Sequence, residues 1–193
     1  MGRETPIYIV TGTTGSIGAV IAETLAAEGK PVVLACRNME RAKAQCERLK
    51  AVTGNEDIWC CRLDLDSFES VEAFCEEIRK MNRKVAALVN NAGVMYCQGI
   101  AETSERMLRL IMMVHMNTPL MLCRKYVGAM KERGRGYILN IPSLAAWMSW
   151  PGIGMYGNTK RFVRDYSREL RIECQKTGVS VTNAYFGAVD TPL

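Results

Sequence analysis

The sequence predicts a single-domain α/β protein built on a doubly wound parallel sheet. Short apolar runs alternate with helix-like segments along all 193 residues, and no linker, repeat or low-complexity tract divides the chain. Because parallel strands need crossover helices, this alternation predicts a sheet that helices cover on both faces. A second observation is the glycine-rich stretch TGTTGSIG, which lies between the first apolar run and the first helix-like segment. Loops of this kind follow the first strand of doubly wound folds.

Each predicted element is bounded by residues that start or end regular structure. We expect strands at Ile7–Val10, Val32–Cys36, Ile58–Leu63, Val85–Val89, Tyr137–Ile141 and Val179–Tyr185. Helices are expected at residues 16–29, 39–52, 67–81, 103–132 and 156–177. Ser67 and Thr103 are suited to begin helices as N-caps. Several helices are expected to end at residues that tolerate a left-handed turn, namely Gly29, Gly54, Asn82, Gly134 and Gly178.

Composition and charge argue against several classes of protein. The net charge is only +5 and the basic residues are scattered, which disfavours a nucleic-acid-binding protein. The eight cysteines lack paired metal-site spacing, so we expect reduced, buried thiols, no bound metal and a cytoplasmic location. The most apolar stretch, MLRLIMMVHMNTPLMLC, contains Arg109 and Pro119 and is too short and too polar to span a bilayer.

The glycine-rich stretch joins the first predicted strand to the first predicted helix. In a Rossmann fold this loop approaches the pyrophosphate of a dinucleotide, and the helix N-terminus faces its negative charge. Three glycines alone also fit a tight turn, but a strand before and a helix after favour dinucleotide binding. We therefore expect a cofactor-binding loop that contains Gly12, Gly15, Ser16, Ile17 and Gly18.

The end of the second strand indicates which dinucleotide binds. An acid at this place accepts a hydrogen bond from a ribose 2′-hydroxyl, whereas a 2′-phosphate requires a cation. The sequence has no acid here, and Arg37 is followed by Asn38. A solvated arginine at a strand end is the alternative interpretation. The pattern favours NADP(H), with NAD(H) as the second choice.

Two further strand ends are expected to border the cofactor. Asp64 and Leu65 follow the third strand, where the edge and face of the adenine ring would lie. Ala92 and Gly93 follow the fourth strand, and residues this small let a flat cofactor pass over the strand tip. An asparagine-rich turn with no ligand is the alternative for this second segment.

The stretch IPSLAAWMSWPGIGMYGNTK contains the candidate catalytic residues. Tyr156 and Lys160 are four residues apart and therefore share one face of a helix. A nearby ammonium stabilises a phenolate, which suits Tyr156 to act as a general acid or base. Ser143 ends the fifth strand at the carboxyl edge of the sheet, where its hydroxyl can hold a carbonyl oxygen. A Tyr-x-x-x-Lys pair alone is common; the serine thirteen residues earlier makes it informative.

The chain resembles the short-chain dehydrogenase/reductase family. The matching stretches, in the family's order, are TGTTGSIG, ACRN, DLD, NNAG, NIPS, YGNTK and FGAVDTP. The resemblance implies hydride transfer between a nicotinamide cofactor and a carbonyl or alcohol, with Tyr156 as the proton donor or acceptor. It implies that Lys160 holds the nicotinamide ribose and that Ser143 positions the substrate oxygen. It also implies cofactor contacts from Asn91, Ala92 and Thr191.

Two departures from the family pattern concern the site. Ser16 stands where a glycine is usual, so the phosphate loop is expected to run slightly differently. His115 stands where many members have an asparagine that completes a proton relay, and Asn117 is the competing candidate. An imidazole can pass protons near neutral pH. A lone histidine in an apolar helix is more often structural, so both interpretations of His115 stay open.

A third departure concerns the end of the sequence. Phe186 replaces a proline, and family members normally continue past the position of Leu193 with a substrate-covering segment and a further strand. We therefore expect residues 1–193 to form one dinucleotide-binding domain that carries the catalytic residues and is truncated before the last strand. A cofactor-binding regulatory or scaffold protein with little activity is the second functional hypothesis.

The apolar residues suggest the partners of the protein. The predicted fourth helix is apolar on more than one face, through Leu108, Leu110, Ile111, Met112, Met113, Val114 and Met116. The excess favours a homodimer through the predicted fourth and fifth helices, and a deeply buried monomer helix is the alternative. An apolar small-molecule carbonyl or alcohol is the expected substrate, because bulky side chains surround the candidate site, namely Trp147, Met148, Trp150 and Met155.

Overall fold

A computed structural model describes residues 5–189 as one six-stranded sheet with flanking helices. The strands are β1 (Ile7–Thr11), β2 (Val32–Cys36), β3 (Ile58–Arg62), β4 (Val85–Asn90), β5 (Gly136–Asn140) and β6 (Val179–Asn183). All neighbouring pairs are parallel, and the order is β3-β2-β1-β4-β5-β6. The predicted doubly wound parallel sheet is therefore confirmed, and each strand lies within about two residues of its predicted bounds.

Six α-helices connect the strands. They are α1 (Ser16–Ala27), α2 (Met39–Thr53), α3 (Phe68–Lys80), α4 (Glu105–Met112), α5 (Thr118–Glu132) and α6 (Gly154–Glu173). Ser67 caps α3 as predicted, but the cap of α4 is Ser104, one residue after the predicted cap Thr103. Thr103 is buried instead, and its hydroxyl donates to the carbonyl of Gly99 at 2.7 Å. The five residues predicted to end helices all adopt positive φ.

The two faces of the sheet carry separate apolar cores. Successive strand residues point to opposite faces, so Ile9 and Leu88 join one core while Val10 and Val89 join the other. Helices α3, α5 and α6 cover the first core, and α1 and α2 cover the second. Strand β2 is buried along its whole length, as expected where helices pack on both faces.

The predicted helix over 103–132 is wrong in one respect, because a π-helical turn divides it. The turn spans Met113–Asn117 and separates α4 from α5. Pro119 has no N–H to donate to the carbonyl of His115, four residues earlier, so the ordinary α-helical ladder cannot continue through this point. The wider turn changes which side chains face inward, and it buries His115.

The region after β5 also differs from the prediction. A 3-10 helix, Leu144–Trp147, precedes α6, and α6 runs from Gly154 to Glu173 instead of from 156 to 177. This arrangement places Ser143 at the start of one helix and Tyr156 in the first turn of the next. Among residues 5–189, none of the helices has the length and apolar character that crossing a membrane requires.

Candidate active site

Two adjoining clefts lie at the carboxyl edge of the sheet, where the strand order reverses between β1 and β4. The first cleft has a volume of about 490 Å³ and the second about 440 Å³. Both are bordered by the same five residues, Gly12, Thr14, Ala92, Gly93 and Val94. The two clefts therefore form one elongated groove that crosses the edge of the sheet.

The loop between β1 and α1 packs against the loop after β4. Gly12 has a φ of +68°, and a Cβ at this position would lie 2.7 Å from Ala92 Cα. A Cβ on Gly18 would lie 2.5 Å from Asn91 Nδ2 and would overlap the carbonyl of Gly12. Glycine is required at both positions for the loops to approach this closely.

Hydrogen bonds from Thr11 and Asn91 hold these two loops together. The Asn91 Nδ2 donates to the carbonyls of Thr11 at 2.9 Å and Gly12 at 3.3 Å. The Thr11 hydroxyl accepts from the backbone N–H groups of Asn91 and Ala92, at 3.1 Å each. Asn91 lines the first cleft, as expected, but its amide nitrogen is used to join protein segments.

The N-terminus of α1 opens into the first cleft. Gly15 is its N-cap and has extended backbone angles, and no side chain of the described residues caps the helix. The backbone N–H groups of Ser16 and Ile17 lie in the first turn, where helical N–H groups lack partners within the helix. Unlike Gly12 and Gly18, Gly15 has room for a Cβ within the protein, 3.5 Å from the nearest oxygen. An anion in this cleft would meet these N–H groups and the positive end of the helix dipole.

The second cleft is lined by the residues predicted to contact the adenosine half of a dinucleotide. Arg37, Asn38, Asp64 and Leu65 all lie there. Two of these polar groups are partly engaged by the protein, since Asn38 Oδ1 caps α2 and Asp64 Oδ1 accepts the N–H of Asp66 at 3.1 Å.

Arg41 is a second cation in this cleft that the sequence reasoning missed. Asn38 Oδ1 accepts the backbone N–H of Arg41 at 3.0 Å, which places Arg41 in the first turn of α2 at the cleft. Within residues 5–189, neither Arg37 nor Arg41 pairs with a carboxylate. One sequence pattern could have indicated Arg41: an N-cap asparagine three residues before an arginine places that arginine in the first turn of the helix.

The three predicted catalytic side chains line the first cleft together. Ser143, Tyr156 and Lys160 all border it. Ser143 Oγ accepts the N–H of Ala145 at 3.1 Å, and the one carbonyl within residues 5–189 to which it donates is that of Phe186, at a long 3.5 Å. Lys160 lies one turn after Tyr156, with its Nζ 5.7 Å from the centre of the phenol ring.

Lys160 is buried without an ionic partner. Its Nζ donates to the carbonyl of Ile141 at 3.0 Å, and no carboxylate of residues 5–189 pairs with it. Burial disfavours the ammonium form and lowers the pKa of Lys160 to about 8. The side chain can therefore respond to a ligand or to a change of charge in the cleft near neutral pH.

The remaining predicted residues lie elsewhere. His115 is buried beneath the loop after β4 and does not border either cleft. Asn117 is exposed, and its Nδ2 donates to Met113 Sδ at 3.3 Å. Thr191 lies outside the described residues.

The larger apolar side chains that line the first cleft differ from the bulky residues that the sequence predicted around the site. Met95, Ile141 and Phe186 border it, whereas none of the four predicted bulky residues does. Trp147 is stacked on Arg164, with 4.3 Å from the guanidinium carbon to the ring centre. Trp150 and Met155 border a separate cavity of about 250 Å³. The four bulky residues expected around the site, which are near in sequence to Ser143 and Tyr156, therefore do not line the cleft that these two residues border.

Residues 6–193 match the family described as short chain dehydrogenase. The chain belongs to the short-chain dehydrogenase family. An uncharacterized oxidoreductase of Staphylococcus saprophyticus is 31% identical over 189 residues, which are 97% of this chain and 80% of that protein. An NADP-dependent 3-hydroxy acid dehydrogenase of Salmonella typhimurium is 31% identical over 186 residues, 95% of this chain and 72% of the relative. This short-chain dehydrogenase is therefore an oxidoreductase of that family.

Solved structures of the family have the same fold. A short-chain dehydrogenase from Sphingobium yanoikuyae in complex with NADPH has a TM-score of 0.90 at 27% identity, and the match covers 96% of this chain and 72% of that one. A bulky-bulky ketone specific alcohol dehydrogenase from Comamonas testosteroni has a TM-score of 0.89 at 26% identity, covering 95% and 73% respectively. This chain and these two proteins therefore share the sheet and its flanking helices.

The glycine loop generates a first prediction for this short-chain dehydrogenase. Gly18→Ala forces a Cβ into the carbonyl of Gly12, so we expect it to lower the free energy of unfolding by about 1–3 kcal/mol. Gly15→Ala has room within the protein and is expected to cost less than about 1 kcal/mol, but to weaken cofactor binding at least tenfold by filling the cleft. Urea denaturation and NADPH titration of both variants measure this. Equal cofactor affinity in wild type and Gly15→Ala would contradict it.

The buried lysine generates a second prediction. Because the pKa of Lys160 is lower in the folded chain, about 8, than in the unfolded chain, the unfolded chain binds more protons between about pH 8 and 10.5. The free energy of unfolding should therefore rise with pH in this window by on the order of 1–3 kcal/mol relative to Lys160→Met, which removes the titrating group. Denaturation of both proteins at pH 7.5 and pH 10 measures this, and parallel pH dependence in the two proteins would refute it.

Proposed function

We propose that the protein transfers a hydride between NADP(H) and a carbonyl or secondary alcohol, with Tyr156 as the general acid or base. The observation that carries the proposal is the single groove formed by the two clefts. One end of the groove holds two arginines that pair with no carboxylate of residues 5–189, and the other end holds Ser143, Tyr156 and Lys160. A dinucleotide that spans the groove would bring its reactive end to the candidate catalytic side chains.

The residues that line the groove fit the parts of the cofactor in order. Arg37 and Arg41 offer two guanidinium groups to a 2′-phosphate, and Asp64 and Leu65 would border the adenine. The free N–H groups at the start of α1 would hold the pyrophosphate. The choice of NADP(H) is also supported by the NADPH complex of the Sphingobium relative and by the NADP-dependent Salmonella relative.

The catalytic side chains would act on the substrate oxygen. When bound, the cofactor supplies or accepts the hydride. Ser143 has an O–H whose protein acceptor is distant, so a substrate oxygen in the cleft is its better partner. Tyr156 would donate its phenolic proton to the developing alkoxide or take the proton back in the reverse direction. The Lys160 ammonium would stabilise the phenolate and hold the nicotinamide ribose.

The lining of the first cleft supports an uncharged, apolar substrate. Met95 and Phe186 are 62% and 37% exposed, and Lys160 is the one charged side chain among the described residues that line the cleft. A substrate carboxylate would find no arginine there. The related enzyme from Comamonas testosteroni is specific for bulky-bulky ketones, which agrees with an apolar carbonyl as substrate.

Exposed apolar side chains support the proposed homodimer. Met112 of α4 and Leu120 of α5 are 42% and 45% exposed, although Ile111 and Leu122 beside them are fully buried. A second copy that packs on α4, α5 and α6 would remove these side chains from water. Sedimentation equilibrium measures the oligomeric state.

Cofactor preference is a third prediction. We expect NADPH to bind at least tenfold more tightly than NADH, because a charge-assisted hydrogen bond contributes about 1.5–3 kcal/mol. Arg37→Asp should reverse the preference by repelling the phosphate, and Arg41→Ala should weaken NADPH binding only. Arg48→Ala is the matched control, since Arg48 lies on α2 outside the cleft and pairs with Glu23 at 2.8 Å. Titration of each protein with both cofactors decides it, and tighter NADH binding by wild type would overturn the assignment.

A fourth prediction concerns Tyr156. Tyr156→Phe should lower the rate of carbonyl reduction by about 100-fold or more and change NADPH affinity little, because the variant loses only the acidic proton. Tyr137→Phe is the control and should keep its activity, because the Tyr137 side chain on β5 is exposed and lines neither cleft. NADPH consumption against a panel of apolar ketones measures the rates.

The same assay separates the proposed function from a cofactor-binding protein with little activity. Both hypotheses expect NADPH to bind, so binding alone does not distinguish them. If NADPH binds but no ketone in the panel is reduced by wild type, the regulatory or scaffold hypothesis is favoured. A fully active Tyr156→Phe variant would show that another group moves the proton.

A further inference from the structure

His115 is the single histidine of the chain, and it lies where three parts of the site meet. It belongs to the π-helical turn between α4 and α5 and is 1% exposed. Its ring contacts the loop after β4 through Val94, and it contacts α6 through Thr159 and Tyr156. The ring is therefore a link between the border of the two clefts and the helix that carries the candidate catalytic pair.

The hydrogen-bond partners assign the proton of the imidazole. Val94 N–H donates to Nε2 at 3.0 Å, so Nε2 acts as an acceptor and carries no proton. The proton is then on Nδ1, which lies 2.8 Å from Thr159 Oγ1. Thr159 can accept this bond because its own hydroxyl proton is donated to the carbonyl of Tyr156 at 2.9 Å. A single neutral tautomer of His115 therefore satisfies every donor and acceptor in these three hydrogen bonds.

We propose that His115 is a positioning residue, a neutral imidazole that fastens the loop after β4 to α6 and thereby fixes Tyr156 relative to the border of the two clefts. Only the catalytic importance of that position rests on the proposed function. The sequence leaves open whether His115 relays protons or has a structural role. We select the structural role.

The surroundings of the ring disfavour proton transfer through it. A proton on Nε2 would point at the N–H of Val94 and break that bond. Lys160 and Tyr156 of α6 also face the ring, and from the loop side the backbone of Gly93 is so near that a Cβ there would lie 3.1 Å from Nε2. Burial, together with the nearby Lys160 ammonium, lowers the pKa of His115 to about 2. An imidazolium would thus need both a broken hydrogen bond and a second buried cation.

The link has a geometric consequence for the site. Gly93 and Val94 border both clefts, and the Tyr156 ring packs edge-on to the imidazole, with 5.6 Å between centroids and 73° between planes. Loss of the bond to Val94 would release the loop that borders both clefts. Loss of the bond to Thr159 would release α6 from the ring beside Tyr156, whose carbonyl accepts the hydroxyl proton of Thr159. Either change would let Tyr156 move relative to a bound substrate, with little change in the chemistry of the side chain itself.

Nitrogen-15 NMR tests the tautomer without any need for activity. Because the chain has one histidine, every imidazole signal of histidine-labelled protein belongs to His115. We expect the neutral Nδ1–H form with no protonation of the ring between pH 5 and pH 7, below the pKa of the neighbouring Lys160, whereas a solvated histidine titrates near 6.5. A proton on Nε2, or titration within this range, would overturn the proposal.

Variants of Thr159 test the link to α6. Thr159→Val keeps the shape but removes the acceptor of the Nδ1–H, so we expect the imidazole signals to shift and kcat for ketone reduction to fall about tenfold, with KM for NADPH changed less than threefold. Thr159→Ser keeps the hydroxyl and should restore both the signals and kcat. Equal kcat and unchanged signals in Thr159→Val would contradict the proposal.

Variants of His115 give a second route if Thr159→Val does not fold. His115→Gln places an acceptor near the position of Nε2 and should retain more kcat than His115→Asn, which reaches only the position of Nδ1. The pH–rate profile of His115→Gln should keep the shape of wild type, because the residue carries no catalytic proton. Loss of an ionisation from that profile would instead assign a relay to His115. If wild type reduces no ketone, the proposed function fails, and the NMR result still decides the tautomer.

Discussion

The contact between the β1–α1 loop and the loop after β4 is the constraint on which the candidate site depends. Gly12 lies against Ala92 with no space for a side chain, and Thr11 and Asn91 join the two loops by hydrogen bonds. These loops meet where the strand order reverses, so their contact decides where the two clefts join. The clefts consequently form one groove across the sheet edge and not two separate depressions.

Helix α6 brings the candidate catalytic pair to one end of that groove. Arg161 of the same helix also holds the 3-10 helix Leu144–Trp147 by hydrogen bonds. Arg161 donates to the carbonyls of Ala146 at 3.2 Å and Met148 at 2.7 Å. These carbonyls lie at the end of the 3-10 helix that Ser143 begins, where helical acceptors lack partners. The guanidinium satisfies them, and Ser143 is therefore kept on the same wall as Tyr156.

Positive charge extends along the groove, and Asp64 is the one acidic side chain among the described residues that line it. Arg37 and Arg41 lie at one end, the N-terminus of α1 lies in the first cleft, and Lys160 lies at the other end. Among residues 5–189 no carboxylate pairs with any of these three side chains. A ligand with phosphate groups along its length relieves their repulsion. The same charge makes a second buried cation beside Lys160 unfavourable, which is why a neutral imidazole suits the position of His115.

The sequence by itself determined the alternation of strands and helices, the glycine loop and the Tyr-x-x-x-Lys pair. These features depend on periodicity, backbone conformation and spacing within one helix, which are local properties. Only the tertiary structure decided that Arg41 enters the second cleft and that a π-helical turn divides the predicted fourth helix. It also decided the partners of His115, since Val94 and Thr159 are 21 and 44 residues away. Packing between distant elements selects the contacts of His115, and a single sequence carries no local signal for them.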